Sequence, residues 1–205
     1  MGIGSYEWRF DSGRVCLDLV ASGEPAASGP GPLDRPERLG RWLVAAGLLP
    51  AGTPLDPVGP DWVDRFTELR DCIRLLVYAQ VETGTTRPPG ATRPPGTALD
   101  LLNALAADAA PPAVRAVRGD DGALVRAPLA RPECGALLAA VARDAVDLLT
   151  DPVARAGLRR CEGDNCRRVY VDTSRGRRRR WCSSEVCGNR ERVARHRRRA
   201  AVARA

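Results

Sequence analysis

The sequence predicts a mainly α-helical fold: a helical body with one small β-hairpin over residues 1–150, followed by a compact cysteine-bearing module over residues 151–205. Three observations carry that reading. Apolar residues recur at three- and four-residue intervals through several segments of the first 150 residues, the period of helices with one buried face. Four of the seven cysteines are crowded between positions 161 and 187. The charge is also divided: residues 151–205 hold 17 arginines against six acidic residues, a formal +11, whereas residues 1–150 hold 15 against 19, a formal −4.

A chain of 205 residues corresponds to one domain of ordinary size plus a small appendage, and the first part is long enough to bury a working core. The chain contains no lysine, so every basic residue is arginine. With the alanine, glycine and proline load this points to a genomic composition bias, and the choice of arginine over lysine at any one position is not read as functional.

The elements follow in order. Residues 6–22 hold an apolar cluster of Trp8, Phe10, Val15, Cys16, Leu17, Leu19 and Val20 around an Asp11-Ser12-Gly13 turn. The VCLDLV run is too short for its period to separate strand from helix. After a Gly/Pro/Ser/Ala-rich loop, Asp34 is expected to cap a helix with Pro36 in its first turn, Leu39, Trp42, Leu43 and Ala46 on one face, and Gly47 at its end. Asp61 opens the longest helical pattern, to about Thr83, with Trp62, Phe66, Leu69, Ile73, Leu76 and Val77 at helical spacing and Cys72 beside the stripe. A repeated TRPPG, at Thr86–Gly90 and Thr92–Gly96, predicts an exposed loop, because prolines break helix and sheet ladders. Helix returns over 98–109. Two short apolar/arginine runs around Asp120-Asp121-Gly122 read as a hairpin. Pro132 starts a helix to about Leu149, with Leu137, Leu138, Val141, Ala145 and Leu148 inward.

The module begins at Cys161. Cys161/Cys166 and Cys182/Cys187 form two pairs, each with four intervening residues, separated by fifteen. Two close pairs joined by a longer loop suit four thiolates wrapped around one tetrahedral Zn²⁺. The competing readings are two disulfides or four unrelated thiols. The N-terminus MGIGSYEWRF shows no secretory signal, and no apolar run approaches the ~18 residues of a membrane span. A cytoplasmic, nucleoid-associated location is therefore expected, where thiols stay reduced and paired cysteines indicate metal or catalysis. A catalytic zinc keeps an open position and usually takes histidine, but the chain's only histidine is His196, within an arginine run. A closed, structural site and no enzymatic role are expected. Cys16, Cys72 and Cys134 are read as packing residues.

With these residues assembled, the chain resembles the CGNR zinc-finger family. The resemblance rests on RRRWCSSEVCGNRERVARHRRR, with Cys187-Gly188-Asn189-Arg190, and on CEGDNCRRVYVDTSRGRRRRW upstream. Such proteins usually carry an N-terminal ABATE domain, and GRVCLDLV with the Leu39–Leu43 helix is similar to its hallmarks. The resemblance implies a bacterial-type, stress-induced transcription regulator. Ala21-Ser22 stand where members often have Asn-Thr, so any binding by that pair is not carried over.

The residues also suggest a geometry for the module. Cys161 and Cys166 form a knuckle, Val169–Val171 a strand, Asp172–Gly176 a turn and Arg177–Trp181 a returning strand. A helix then runs from about Gly188 to Arg204, an order that resembles a treble clef. Tyr170 and Trp181 either form a small core or stack on bases. Arg192, Arg195 and Arg199 line one helix face, and Val193, His196 and Ala200 an adjacent face toward the module.

A basic module on a mildly acidic body indicates a polyanion, and duplex DNA is the expected partner. Candidate contacts are Arg177, Arg178, Arg179, Arg180, Asn189, Arg190, Arg192, Arg195, Arg197, Arg198 and Arg199. Asn189 and Arg190 could cap, hold phosphate or read a base. RNA or single-strand binding, and docking of an acidic protein, are the alternatives. The body could hold a small-molecule effector, which sequence alone does not reveal.

Overall fold

The computed structural model describes residues 8–23, 33–81, 94–119 and 121–202. The element order is α1 (Val15–Ala21), α2 (Pro36–Ala45), α3 (Pro60–Val81), α4 (Pro95–Asp108), β1 (Val114–Arg118), β2 (Leu124–Pro128), α5 (Cys134–Thr150), α6 (Pro152–Ala156), β3 (Leu158–Arg160), β4 (Val169–Val171), a π-helical turn (Ser184–Gly188) and α7 (Asn189–Val202). No helix among the described residues is long and apolar enough to cross a membrane.

The VCLDLV run is a helix, and the residue that decides this is distant in sequence. The N-cap residue Arg14 offers no side-chain cap. Instead Asp144, on α5, accepts from the Cys16 amide at 2.9 Å and ion-pairs with Arg14 Nε at 2.8 Å. A carboxylate at that end satisfies an unpaired amide and complements the positive helix terminus. At the other end, Ser22 Oγ donates to the Leu19 carbonyl at 2.6 Å.

At α2 the expected cap is corrected. Arg35 is the N-cap residue and has no side-chain cap bond, while Asp34 pairs with Arg38 at 3.0 Å, one helical turn on. The long cation competes successfully for the carboxylate. Gly47 does close the helix: Leu48 N–H donates to the Leu43 carbonyl at 3.0 Å and Gly47 N–H to that of Val44 at 3.0 Å, the Schellman arrangement.

α4 begins earlier than its sequence pattern suggests, inside the second TRPPG. Pro94 is its N-cap and Pro95 its first residue, a place where a missing amide costs nothing, because first-turn amides have no partner in the helix. Residues 82–93, with the first TRPPG, lie outside the described residues.

The body core gathers Leu17 and Leu19 of α1, Leu39, Trp42 and Leu43 of α2, Phe66, Leu69, Ile73 and Val77 of α3, Leu102 of α4, and Leu137, Leu138, Val141, Ala145 and Leu148 of α5. The same cluster takes in Leu158, Val169 and Val171. The β1–β2 hairpin, paired antiparallel with Val117 opposite Val125, lies at the surface with Leu124 70% exposed.

The expected returning strand over Arg177–Trp181 is not present. β4 pairs antiparallel with β3, Arg159 opposite Tyr170, so the hairpin closes around the first cysteine pair. Two local features keep 177–181 out of a ladder. Arg177 has φ 46 and its amide donates to the Ser174 carbonyl at 3.0 Å, forming a tight turn. The Arg179 amide is taken by Asp172 Oδ2 at 2.9 Å.

A candidate structural metal centre and the basic helix beside it

The first cysteine pair lies on a knuckle at the tip of the β3–β4 hairpin. The Cys166 amide donates to the Gly163 carbonyl at 3.0 Å, with Asn165 at φ 59, a conformation asparagine tolerates. Gly163 sits against the sulfurs. A Cβ there would lie 3.2 Å from Cys187 Cβ and 3.5 Å from Cys161 Sγ, so a side chain would require the second cysteine pair to give by a few tenths of an ångström. Of the second pair, Cys182 lies just before the π turn and Cys187 on it, and the start of the turn is capped by Ser183 Oγ accepting from the Val186 amide at 3.2 Å. At its end, Gly188 lies beside the Trp181 indole, where a Cβ would stand 3.4 Å from Cε3, in van der Waals contact.

Together these elements bring Sγ of Cys161, Cys166, Cys182 and Cys187 within 4.8 Å of one another. Cys166 to Cys182 is 3.8 Å and Cys182 to Cys187 is 3.6 Å. Sulfurs bound tetrahedrally at about 2.3 Å from one zinc ion stand about 3.8 Å apart, so the donor set fits Zn²⁺. Amide donors face the sulfurs as well. Cys182 N–H lies 3.3 Å and Gly163 N–H 3.5 Å from Cys161 Sγ. Cys161, Cys182 and Cys187 are buried and Cys166 is half-buried. Four protein sulfurs complete the coordination of such an ion, which makes the site a structural one. The other cysteines, Cys16, Cys72 and Cys134, are buried among apolar residues of the body.

A family model described as "putative stress-induced transcription regulator", ABATE, matches residues 13–152. The chain belongs to the ABATE family. A second model, the CGNR zinc finger, matches residues 158–200, and the four cysteines of this CGNR finger are positioned to bind one zinc ion. No curated protein matches the chain. The seam between the matched regions falls on α6 and Gly157.

The finger's small core is Tyr170 and the cysteines, with Trp181 packed against them. Tyr170 is fully buried. Its hydroxyl donates to the Arg179 carbonyl at 2.5 Å, and burial pushes its pKa up to about 12. Asp172 organises the loop that follows: hydrogen bonds from Ser174 hold its carboxyl below the ordinary range, and its second oxygen accepts from Arg179.

The arginines named from sequence divide into two sets. Arg177, Arg178 and Arg180 are exposed, Arg180 pairing with Glu162 at 2.6 Å and lying 5.3 Å over the Trp181 ring. Arg179, expected with them as a phosphate contact, is half-buried. Its guanidinium lies 4.6 Å over the Tyr170 ring, donates to Trp181 O at 2.8 Å and Asp11 O at 3.2 Å, and also reaches Cys182 O. Those internal carbonyls take up its Nε and one of its two terminal nitrogens. On α7, Asn189, Arg190, Arg192, Arg195, Arg197, Arg198 and Arg199 are all exposed.

The inward face expected for α7 is also corrected. Val193 is 42% exposed and His196 is exposed, while Glu191 and Ala194 are the half-buried positions. The reason lies in the first turn, where Glu191 Oε1 accepts from the Asp164 amide of the knuckle at 3.1 Å and sets the helix's rotation. Beyond that turn α7 projects from the finger, its packing concentrated on the π turn that precedes it.

Sequence reasoning missed one participant. Residues Arg9–Ser12 lie along the finger: Ser12 O accepts from the Val171 amide at 2.9 Å, and Asp11 Oδ1 pairs with Arg168 at 3.1 Å. The Asp-Ser-Gly turn was legible, but the long-range pairing of the residues before it has no local signature.

Proposed function

We propose that the CGNR finger binds duplex DNA through α7 and that the chain is a DNA-binding transcription regulator that acts by binding and performs no catalysis. The observation that carries this reading is the surface of α7. Its arginines from 190 to 199 are exposed, and Glu191, the one acid in that span, is turned against the knuckle. A solvated helix with no polyanion partner would mix charge signs along its exposed face.

The helix has 14 residues, about 21 Å of length at 1.5 Å per residue, and projects from a cysteine-anchored base. The major groove of B-DNA admits such a helix. Exposed Arg177 and Arg178 supply further positive charge suited to phosphate oxygens. The burial of Tyr170 supports duplex over single-stranded partners, because a base-stacking platform needs a free aromatic face.

The test compares duplex DNA, single strands and RNA of one sequence at fixed salt, then follows duplex affinity as salt rises. Duplex should bind tightest, with log K falling by about 0.9 per decade of salt for each phosphate neutralised. Replacing Arg192, Arg195 and Arg199 together by Ala should weaken binding and flatten that slope. Equal affinity for all three nucleic acids would leave only nonspecific attraction. Duplex binding untouched by the triple substitution would move the reading to docking of an acidic protein.

A further inference from the structure

Residues 8–12 lie outside both matched family regions, yet they contact the finger directly. Arg9 NH2 stands 3.6 Å from Cys182 Sγ. The residue is held through its side chain and its backbone. Its Nε donates to Asp11 Oδ2 at 3.0 Å, and its own carbonyl accepts from Arg168 NH1 at 3.2 Å. Asp11 in turn receives Arg168 on its other carboxylate oxygen at 3.1 Å and Arg179 on its backbone carbonyl at 3.2 Å. Ser12 is fixed at both ends, its carbonyl by the Val171 amide at 2.9 Å and its amide by Asp18 Oδ1 at 3.2 Å.

We propose that Arg9 is an outer-sphere donor to the Cys182 thiolate, and that Arg9–Ser12 is a strap belonging to the metal site although it comes from the other end of the chain. Four thiolates around a divalent cation carry a net charge of −2 in a site that is largely shut off from water. A guanidinium against one sulfur offsets part of that charge through a charge-assisted hydrogen bond and orients the ligand. Arg9 suits the task because Asp11 fixes its planar fork; a mobile surface arginine would average out of position. Arg9 is here a positioning residue for the zinc, acting through Cys182.

The experiment uses full-length, zinc-loaded protein and competition with a chromophoric chelator. Loss of a group that orients a metal ligand typically lowers metal affinity about 10–100-fold, and that loss is expected for Arg9→Ala. Arg9→Met keeps the volume and the aliphatic stem but removes the donor and the charge, so it should lose as much. Arg9→Lys should recover part of it. Substituting Co²⁺ gives an independent reading, because the thiolate-to-cobalt charge-transfer band should shift in Arg9→Ala and Arg9→Met and stay in place in Arg198→Ala. If Arg9→Met holds zinc as tightly as wild type and leaves the band unmoved, Arg9 only fills space and the proposal fails. Should Arg9→Ala fold poorly by circular dichroism, the Met variant decides alone.

Discussion

The main core of the body and the core of the finger are built by different means, and β4 lies between them. In the body, large apolar side chains such as Trp42, Phe66, Leu69, Ile73 and Leu138 are packed together almost without exposure. In the finger, four cysteines surround Tyr170, with Trp181 at the side. The three residues of β4 are divided between them. Val169 and Val171 join the body cluster and Tyr170 joins the cysteines. Strand alternation accounts for this, because successive side chains point to opposite faces. The body gains its stability from apolar area removed from water. The finger has too little such area, so four sulfurs arranged for one ion replace it.

The largest effect should come from removing a ligand. Cys182→Ser should abolish the single bound zinc, because metal-binding energy in so small a unit is folding energy, about 10–16 kcal/mol in isolated zinc-finger peptides. Zinc stoichiometry should fall to none, amide dispersion over 158–202 should collapse, and most of the helical signal of the body should survive. Cys72→Ser should keep one zinc per chain. Equal zinc loss in both variants would end the distinction between the two cores.

The converse substitution tests the body. Leu138, fully buried on α5, should cost about 2–5 kcal/mol as Leu138→Ala, read by chemical denaturation. Zinc per folded chain should stay at one. A drop in metal content would mean that the cores are a single unit joined through β4.

Asp18 sharpens the comparison at the point where α1 meets the strap. Burial pushes its pKa from 3.8 to about 6, despite the hydrogen bond from Ser12. The folded state therefore holds this proton more tightly than the unfolded chain. Its stabilising contribution is complete below about pH 3.8 and is lost as pH rises through about 6, a change of roughly 3 kcal/mol. Asp18→Asn removes the titration while keeping an acceptor for the Ser12 amide. Thiolates also take up protons as pH falls, so the reading is the difference between wild type and variant at matched zinc occupancy. That difference should move against wild type between pH 4 and 6.5; a flat difference would place Asp18 in contact with water.

The smallest stability effect is expected on α7. Arg192→Ala, Arg195→Ala and Arg199→Ala should each change stability by no more than about 0.5 kcal/mol, as for surface positions without packing. A larger loss in thermal denaturation would show that α7 packs against the finger in solution.

What was legible in the sequence follows from how local each cause is. The 3.6 period announced α3 and α5, and the two cysteine pairs announced the metal centre, because both patterns lie within a few turns of chain. The short runs were undecided for the opposite reason. VCLDLV became a helix through Asp144, and VYV took LRR as its partner because Arg177 and Asp172 turned the downstream chain away.

By itself, the sequence determined that this protein has an apolar helical body, a four-cysteine module and a strongly basic end, since composition, period and spacing are properties of the chain alone. Only the tertiary structure decided which arginines face the solvent. Arg179 and Arg9 are turned inward onto carbonyls, Asp11 and Cys182, while those of α7 point outward. The physical reason is that a guanidinium's role depends on which acceptors surround it, and those acceptors come from positions up to 173 residues away.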